Sequence, residues 1–224
     1  MVKKLYPHYH YRPGPQVLVE LGSSKILVLY VDFRYGKDPY VQEWLIQESR
    51  GIRRGAIVDL EALAAVLREM LSTLEKRFNT VIEHMIVAWS GVDLRARHIK
   101  LRHSVPSHRS IHADDVRRLL DQCAPIVEDQ AKEWLLHRIP LGFGVADQSW
   151  VDDPVGRVGS PLVAHVHCIS LGAEVAASLF QLGVLCKVPV AAVVSSSYVA
   201  SFAVLTEEER QLGGTLVDMG SQNT

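Results

Sequence analysis

Near-continuous runs of β-branched and apolar residues, "VLVE" with "ILVLYVDF", then "HMIVAWSG", then "CKVPVAAVVS", bracket a long stretch of different rhythm. From Val92 onward the chain alternates, with Leu94, Ala96, His98 and Lys100 set against Arg95, Arg97, Ile99 and Leu101. Continuous runs suit strands buried on both faces, whereas alternation suits a sheet with one face open to water. A chain that passes from the first style to the second and back predicts a sheet domain interrupted by an inserted subdomain. With 224 residues, 48% of them hydrophobic, there is enough apolar material for both cores.

The smaller signals fit this frame. "LGSSK" joins Val17–Glu20 to Ile26–Phe33 as a hairpin turn, and Val41–Gln47 can pair as a third strand. Asp59 is an N-cap for a helix whose Leu60, Leu63, Val66, Leu67, Met70, Leu71 and Leu74 share one face. In the alternating region, Asp114 and Asp115 open a second helix at the end that favours negative charge. "WLLHRIPLGFGVAD" and "LVAHVHCISL" read as strands separated by the loop "DDPVGRVGSP", and "GAEVAASLFQLG" reads as a helix. Beyond it, "SSYVASFAVLTEEER" reads as one serine-capped helix and Thr215–Met219 as a short buried strand running into Asp218 and Gly220. The expected organisation is a flexible arm over 1–16, a mixed-sheet α/β subdomain over 17–91 and 184–224, and an α+β insertion over 92–183.

Composition narrows the function classes. The 24 basic and 25 acidic residues leave a net charge of −1, which offers no electrostatic footprint for nucleic acid. Three cysteines fit neither a disulfide framework nor a zinc ribbon and point to a reducing compartment. "MVKKLYPHYHYRPGPQ" has no apolar core and so does not read as a secretory leader, and no apolar run is long enough to span a bilayer. His8 with His10, and His165 with His167 and Cys168, lack further ligands at metal-like spacing and read as surface histidines. Ser195, Ser196 and Ser197 have no nucleophile elbow and read as a helix cap; Cys123 and Cys186 read as core residues.

In their order, "ELGSSKI", "GIRRGAIVDLEAL", "IVAWSG", "LLHRIPLGFGVAD" with "DDPVG", "AHVHCI" and "SSYVASFAVLTEEERQLGGTLVDMG" make a set of motifs that resembles the FtsA family of bacterial cell-division proteins, within the actin and Hsp70 ATPase superfamily. The resemblance runs from about Val17 to the last residue. It implies an actin-like, ribonuclease H-like mixed sheet with the small inserted subdomain of the FtsA type, and only the first of two lobes. Two hairpins of such a fold cradle ATP phosphates and hold the water shell of Mg²⁺. By the resemblance, Gly22, Ser23, Ser24 and Lys25 form the first loop, Asp218, Gly220 and Ser221 open the second, and Glu20 and Asp218 stand at the Mg²⁺ shell. Glu20 replaces the usual Asp, and Gln222 stands where a Gly normally lets backbone approach phosphate.

The resemblance further implies partners. Full-length relatives bind ATP, polymerise and tether FtsZ to the cytoplasmic face of the inner membrane at the division site. The resemblance covers neither the second lobe that contacts FtsZ nor the amphipathic membrane helix, so the contacts it leads one to expect are with division proteins through the insertion, with self-association from an unfinished sheet edge. Arg95, Arg97, His98, Lys100, Arg102 and His103 offer the insertion a positive surface for an acidic or polar partner. Their other reading is charge that protects an edge strand. Two competitors stand beside this one: an actin-like ATPase completed by another chain, and a partner-binding relative of the actin fold with no role in division.

Overall fold

The computed structural model describes residues 14–33, 38–106, 108–130, 132–146 and 150–222. They form two units, one of Met1–Asp93 with Glu174–Thr224 and one of Leu94–Ala173.

The first unit is built on a five-stranded mixed sheet. β1 (Gly14–Leu21) and β2 (Lys25–Phe33) pair antiparallel through the tight turn at Gly22–Ser24, and β3 (Tyr40–Glu48) adds antiparallel to β2. β6 (Met85–Trp89) runs parallel to β1, and β10 (Val190–Ser195) runs parallel to β6, giving the order β10-β6-β1-β2-β3. In sequence between β3 and β6 lie a separate two-stranded sheet of β4 (Ile52–Arg53) and β5 (Ala56–Ile57), then helix α1 (Leu60–Phe78). Asp59 caps α1 as its spacing predicts, its carboxylate accepting the Ala62 N–H at 2.9 Å. The apolar stripe of α1, Leu63, Leu67, Met70, Leu71 and Leu74, is buried together with the inward residues Val17, Val19, Ile26, Val28, Met85 and Val87 of the sheet.

Helix α3 (Ala173–Cys186) falls almost wholly within this unit, whereas helical pattern alone had assigned it to the insertion. The physical reason is its packing: the Cys186 thiol reaches the Ala64 carbonyl of α1 at 3.8 Å, and Leu179 and Leu182 are buried. α4 (Ser196–Val204) and α5 (Glu207–Leu212) replace the single helix expected from the sequence. The break falls at Thr206, which starts its own capping box with Glu209.

Thr215–Met219, expected as a buried strand, pairs with no neighbour and is largely exposed, with Val217 at 61% and Met219 at 79%. An apolar run becomes a strand only where another strand accepts its backbone groups, and none lies beside this one among the described residues.

The second unit is a three-stranded antiparallel sheet in the order β7-β9-β8, formed by β7 (Leu94–His103), β8 (Glu133–Val145) and β9 (Leu162–Gly172). Helix α2 (Ala113–Asp121) and a π-helical turn over Pro125–Gln130 accompany one face. Leu101, Ile111, Leu119, Phe143, Leu162, Ala164 and Val166 make the core there, so this small unit has a hydrophobic centre of its own.

Gly91, just after β6, has no room for a side chain: a Cβ would sit 2.1 Å from the Trp89 ring and 2.2 Å from the Gly55 carbonyl. Gly91→Ala is therefore expected to destabilise the first unit by about 2–3 kcal/mol. Denaturant unfolding followed by Trp fluorescence checks this, and an unchanged midpoint would refute the wedge.

Candidate functional site

Two surfaces collect the residues singled out by the sequence, one in each unit. The first is the turn between β1 and β2. Gly22 donates its N–H to the Lys25 carbonyl at 3.0 Å, and the Ser24 carbonyl accepts the Ser49 N–H at 3.0 Å. The Ser23 hydroxyl oxygen accepts the Gly55 N–H at 2.9 Å. One residue earlier, the Arg54 N–H donates to Gln222 Oε1 at 2.6 Å. Successive amides of the β4–β5 turn thus hold both segments expected to form phosphate loops. Arg54 has the left-handed φ of 51°, which such a turn requires.

The fit to a nucleotide is incomplete within these residues. The first loop is a preformed tight turn, but its Ser23 hydroxyl is committed to Gly55, and Glu20 lies exposed on β1, on the sheet face away from Val19 and Leu21. Asp218, Gly220 and Ser221 are exposed and belong to no hairpin. A cavity of about 250 Å³ in this unit lies at the other end of β1, lined by Gly14, Gln16, Tyr30, Thr80, Ile82 and His84. No phosphoryl chemistry is derived from this arrangement.

The second surface is the insertion sheet, where the strand pleat sorts the six basic candidates onto two faces. Arg95, Arg97 and His103 share the face of Ile99 and Leu101, toward the core. There the buried Glu133 carboxylate accepts from Arg97 at 2.6 and 2.7 Å, from Arg95 at 3.3 Å and from the Ser170 hydroxyl at 2.5 Å. His103 Nε2 stands 3.9 Å from Asp115, whose carboxylate takes two hydrogen bonds from Arg109, at 2.6 and 2.8 Å. Arg97 and His103 are half-buried beside these carboxylates, whereas Arg95 reaches Glu133 from an exposed position. His98, Lys100 and Arg102 are exposed on the opposite face.

That open face gains residues that spacing along one strand could not assemble. Register places His167 across from His98 and His165 across from Lys100, with the His98 and His167 rings 4.9 Å apart. Trp150 stands edge-on to His165 at 4.5 Å and lies over Gly142 and Gly144 of β8, where a Cβ would come within 3.4 and 3.8 Å of other groups. The result is a mixed basic and aromatic patch suited to acidic or hydrogen-bonding groups. Trp150 is the functional candidate missed from sequence; the Gly-x-Gly of β8 beneath it was the available signal.

The remaining candidates sort plainly. Among the described residues no group of three or more His, Cys, Asp or Glu is placed to hold a metal, while His8 and His10 lie outside the described residues. Ser195 caps α4 by accepting the Tyr198 N–H at 3.4 Å. Cys123 and Cys168 are buried and hydrogen-bonded to each other, and that bond and burial push the Cys168 thiol well up. Burial pushes Cys186 up to about 11. The bond to Cys168 holds Cys123 below its ordinary value, and all three thiols are buried.

Comparison with known proteins follows the same division. Residues 91–170 match the family model described as the SHS2 domain inserted in FtsA. The cell division protein FtsA of Pseudomonas aeruginosa is 24% identical over 92% of this chain and 49% of its own length; that of Borreliella burgdorferi is 26% identical over 92% and 50%. The FtsA of Escherichia coli K12 is 27% identical over 77% of this chain and 40% of its own. This chain therefore spans about half the length of the curated relatives it matches. Among solved structures, the PilM-PilN type IV pilus biogenesis complex superposes with a TM-score of 0.56 at 15% identity, over 84% of this chain and 49% of that one, a likeness of fold. The fold and its insertion define an actin-like domain carrying an SHS2 subdomain. Within that class the chain is FtsA-like. Among the described residues no helix is long and apolar enough to cross a membrane.

Two of the buried groups of the insertion, His137 and Asp115, give it an acid-sensitive stability. Burial lowers His137 to about 4, so the neutral ring stabilises the fold above its unfolded value of about 6.5, and that contribution fades as pH falls from there toward 4. Asp115 is held well below the usual carboxylate range by Arg109 and the His112 N–H, and its contribution is lost only below about pH 4. His137→Leu is expected to flatten the stability profile between about pH 6.5 and 4, and Asp115→Asn to flatten it below about 4. Urea midpoints across pH measure both; parallel profiles for variants and wild type would contradict the assignment.

Proposed function

We propose that this chain acts as a protein-binding, FtsA-like component of the division apparatus, working at the cytoplasmic side, whose contacts are made through the inserted SHS2 subdomain. The observation that carries the reading is the open face of the insertion sheet. His98, Lys100 and Arg102 stand there with His165, His167 and Trp150, while Arg95, Arg97 and His103 are held by Glu133 and Asp115 on the other side. Basic groups bonded to carboxylates on one face, opposite basic groups open to water on the other, support a recognition role over simple edge protection. The partner is a division protein presenting an acidic segment.

The FtsZ tether and ATP-driven polymerisation of full-length FtsA are not assigned to these 224 residues. In a sedimentation assay with FtsZ and lipid vesicles at ordinary salt, the chain is expected to leave FtsZ in solution; FtsZ carried down with vesicles would defeat the proposal. In cells, a fluorescent fusion is expected to gather at the division site and to disperse when Lys100→Glu and Arg102→Glu are combined. Equal septal recruitment of the folded double variant would remove the basic face from the account.

The preformed turn at Gly22–Lys25 favours one second reading, an actin-like ATP and Mg²⁺ site completed by another chain. It requires saturable, Mg²⁺-dependent ATP binding that Lys25→Ala weakens. Isothermal titration of the purified chain alone is expected to give no such signal.

A further inference from the structure

The five-stranded sheet of the first unit has two edges. β10 is six residues long and irregular in register between Val190 and Ala192. β3 is nine residues long and carries Tyr40, Trp44 and Ile46 at 65%, 61% and 56% exposure. Natural edges are usually defended by lysine, proline, a bulge or a covering element. "YVQEWLIQE" holds neither lysine nor proline, and its central carboxylate, Glu43, is taken by Arg77 of α1.

The pairing of β3 with β2 shows which edge groups face out. The Ser49 N–H, just past the strand end, donates inward to Ser24, so alternation directs the amides of Gln47, Leu45 and Glu43 toward β2. Trp44, Ile46 and Glu48 then present theirs outward, and among the described residues the Trp44 N–H meets a side chain, Glu43 Oε1 at 3.2 Å. The one irregularity is at Gln42, where Tyr30 pairs with Glu43 and Val31 with Val41. This bulge defends the start of the edge and leaves Glu43–Gln47 regular.

We propose that this regular segment of β3 is a homotypic interface, at which two copies of the chain pair antiparallel about a two-fold axis through Leu45. A two-fold contact must be self-complementary, and the axis position decides whether it is. Centred on Glu43, it would oppose two carboxylates; centred on Trp44, it would draw the bulged Gln42 into the ladder. Centred on Leu45, Trp44 faces Ile46 of the second copy twice and Glu43 faces Gln47, all within the regular segment and short of the bulge. Aromatic against β-branched is a favoured cross-strand pair, and no like charges meet. The Trp44 N–H passes from Glu43 to the Ile46 carbonyl of the second copy, while Arg77 keeps Glu43 neutralised.

The test uses the whole chain. Sedimentation velocity at rising concentration should show a monomer–dimer equilibrium. Trp44→Lys with Ile46→Lys should hold the protein monomeric with an unchanged circular dichroism spectrum, since both side chains are more than half exposed. Register is read by crosslinking: Cys123, Cys168 and Cys186 are all buried, so an introduced thiol is the reactive one. Leu45→Cys should form a disulfide-linked dimer under mild oxidation, because facing Cα atoms at a non-hydrogen-bonded pair lie about 4.5 Å apart. Gln47→Cys should not, its own copy being four residues away along the ladder. A wild type that stays monomeric, a dimer that survives both lysines, or equal crosslinking by the two cysteine variants would overturn the proposal.

Discussion

The parallel pairing of β1, β6 and β10 is the constraint on which the first unit depends. It joins three segments remote in sequence, Gly14–Leu21, Met85–Trp89 and Val190–Ser195, by main-chain pairing. Because β6 and β10 are neighbours, the chain can leave the sheet after Trp89 and return at Val190 with all the intervening residues outside it. That is why an entire subdomain with its own core can be carried between two adjacent strands. The cost falls on the exit, where Gly91 must pass the Trp89 ring and the Gly55 carbonyl with no side chain of its own.

Much of this was legible in the residues. The change from continuous to alternating apolar pattern marked the insertion, and Asp59, Asp115 and Ser195 announced helix starts because capping is a local interaction. The failures were of the opposite kind. Thr215–Met219 has the composition of a strand but, among the described residues, no partner to receive its backbone, and α3 has helical spacing that does not say which unit it packs against. Pairing and docking are set by distant chain, which a local pattern does not contain.

The same distinction governs the candidate sites. A run of six basic side chains on one strand looks like a single positive patch, yet the pleat sends Arg95, Arg97 and His103 to Glu133 and Asp115. Only half remain for recognition, and they are joined by His165, His167 and Trp150, which lie far along the chain. The loop residues Ser23 and Gln222 are likewise linked through the intervening Arg54 and Gly55 amides. Sequence identified the chemistry available; the register of three strands decided which of it is presented.

The bulge at Gln42 also ties edge shape to chain length. Because two residues of β3 occupy the place of one on β2, the irregularity is a matter of counting, not of side-chain type. Substitution at position 42 leaves the extra residue in place, whereas loss of one residue there would let β2 and β3 pair one to one along their whole length. In relatives of this chain, short insertions and deletions at the start of β3 would therefore alter assembly more than exchanges of the residues that a surface map would highlight.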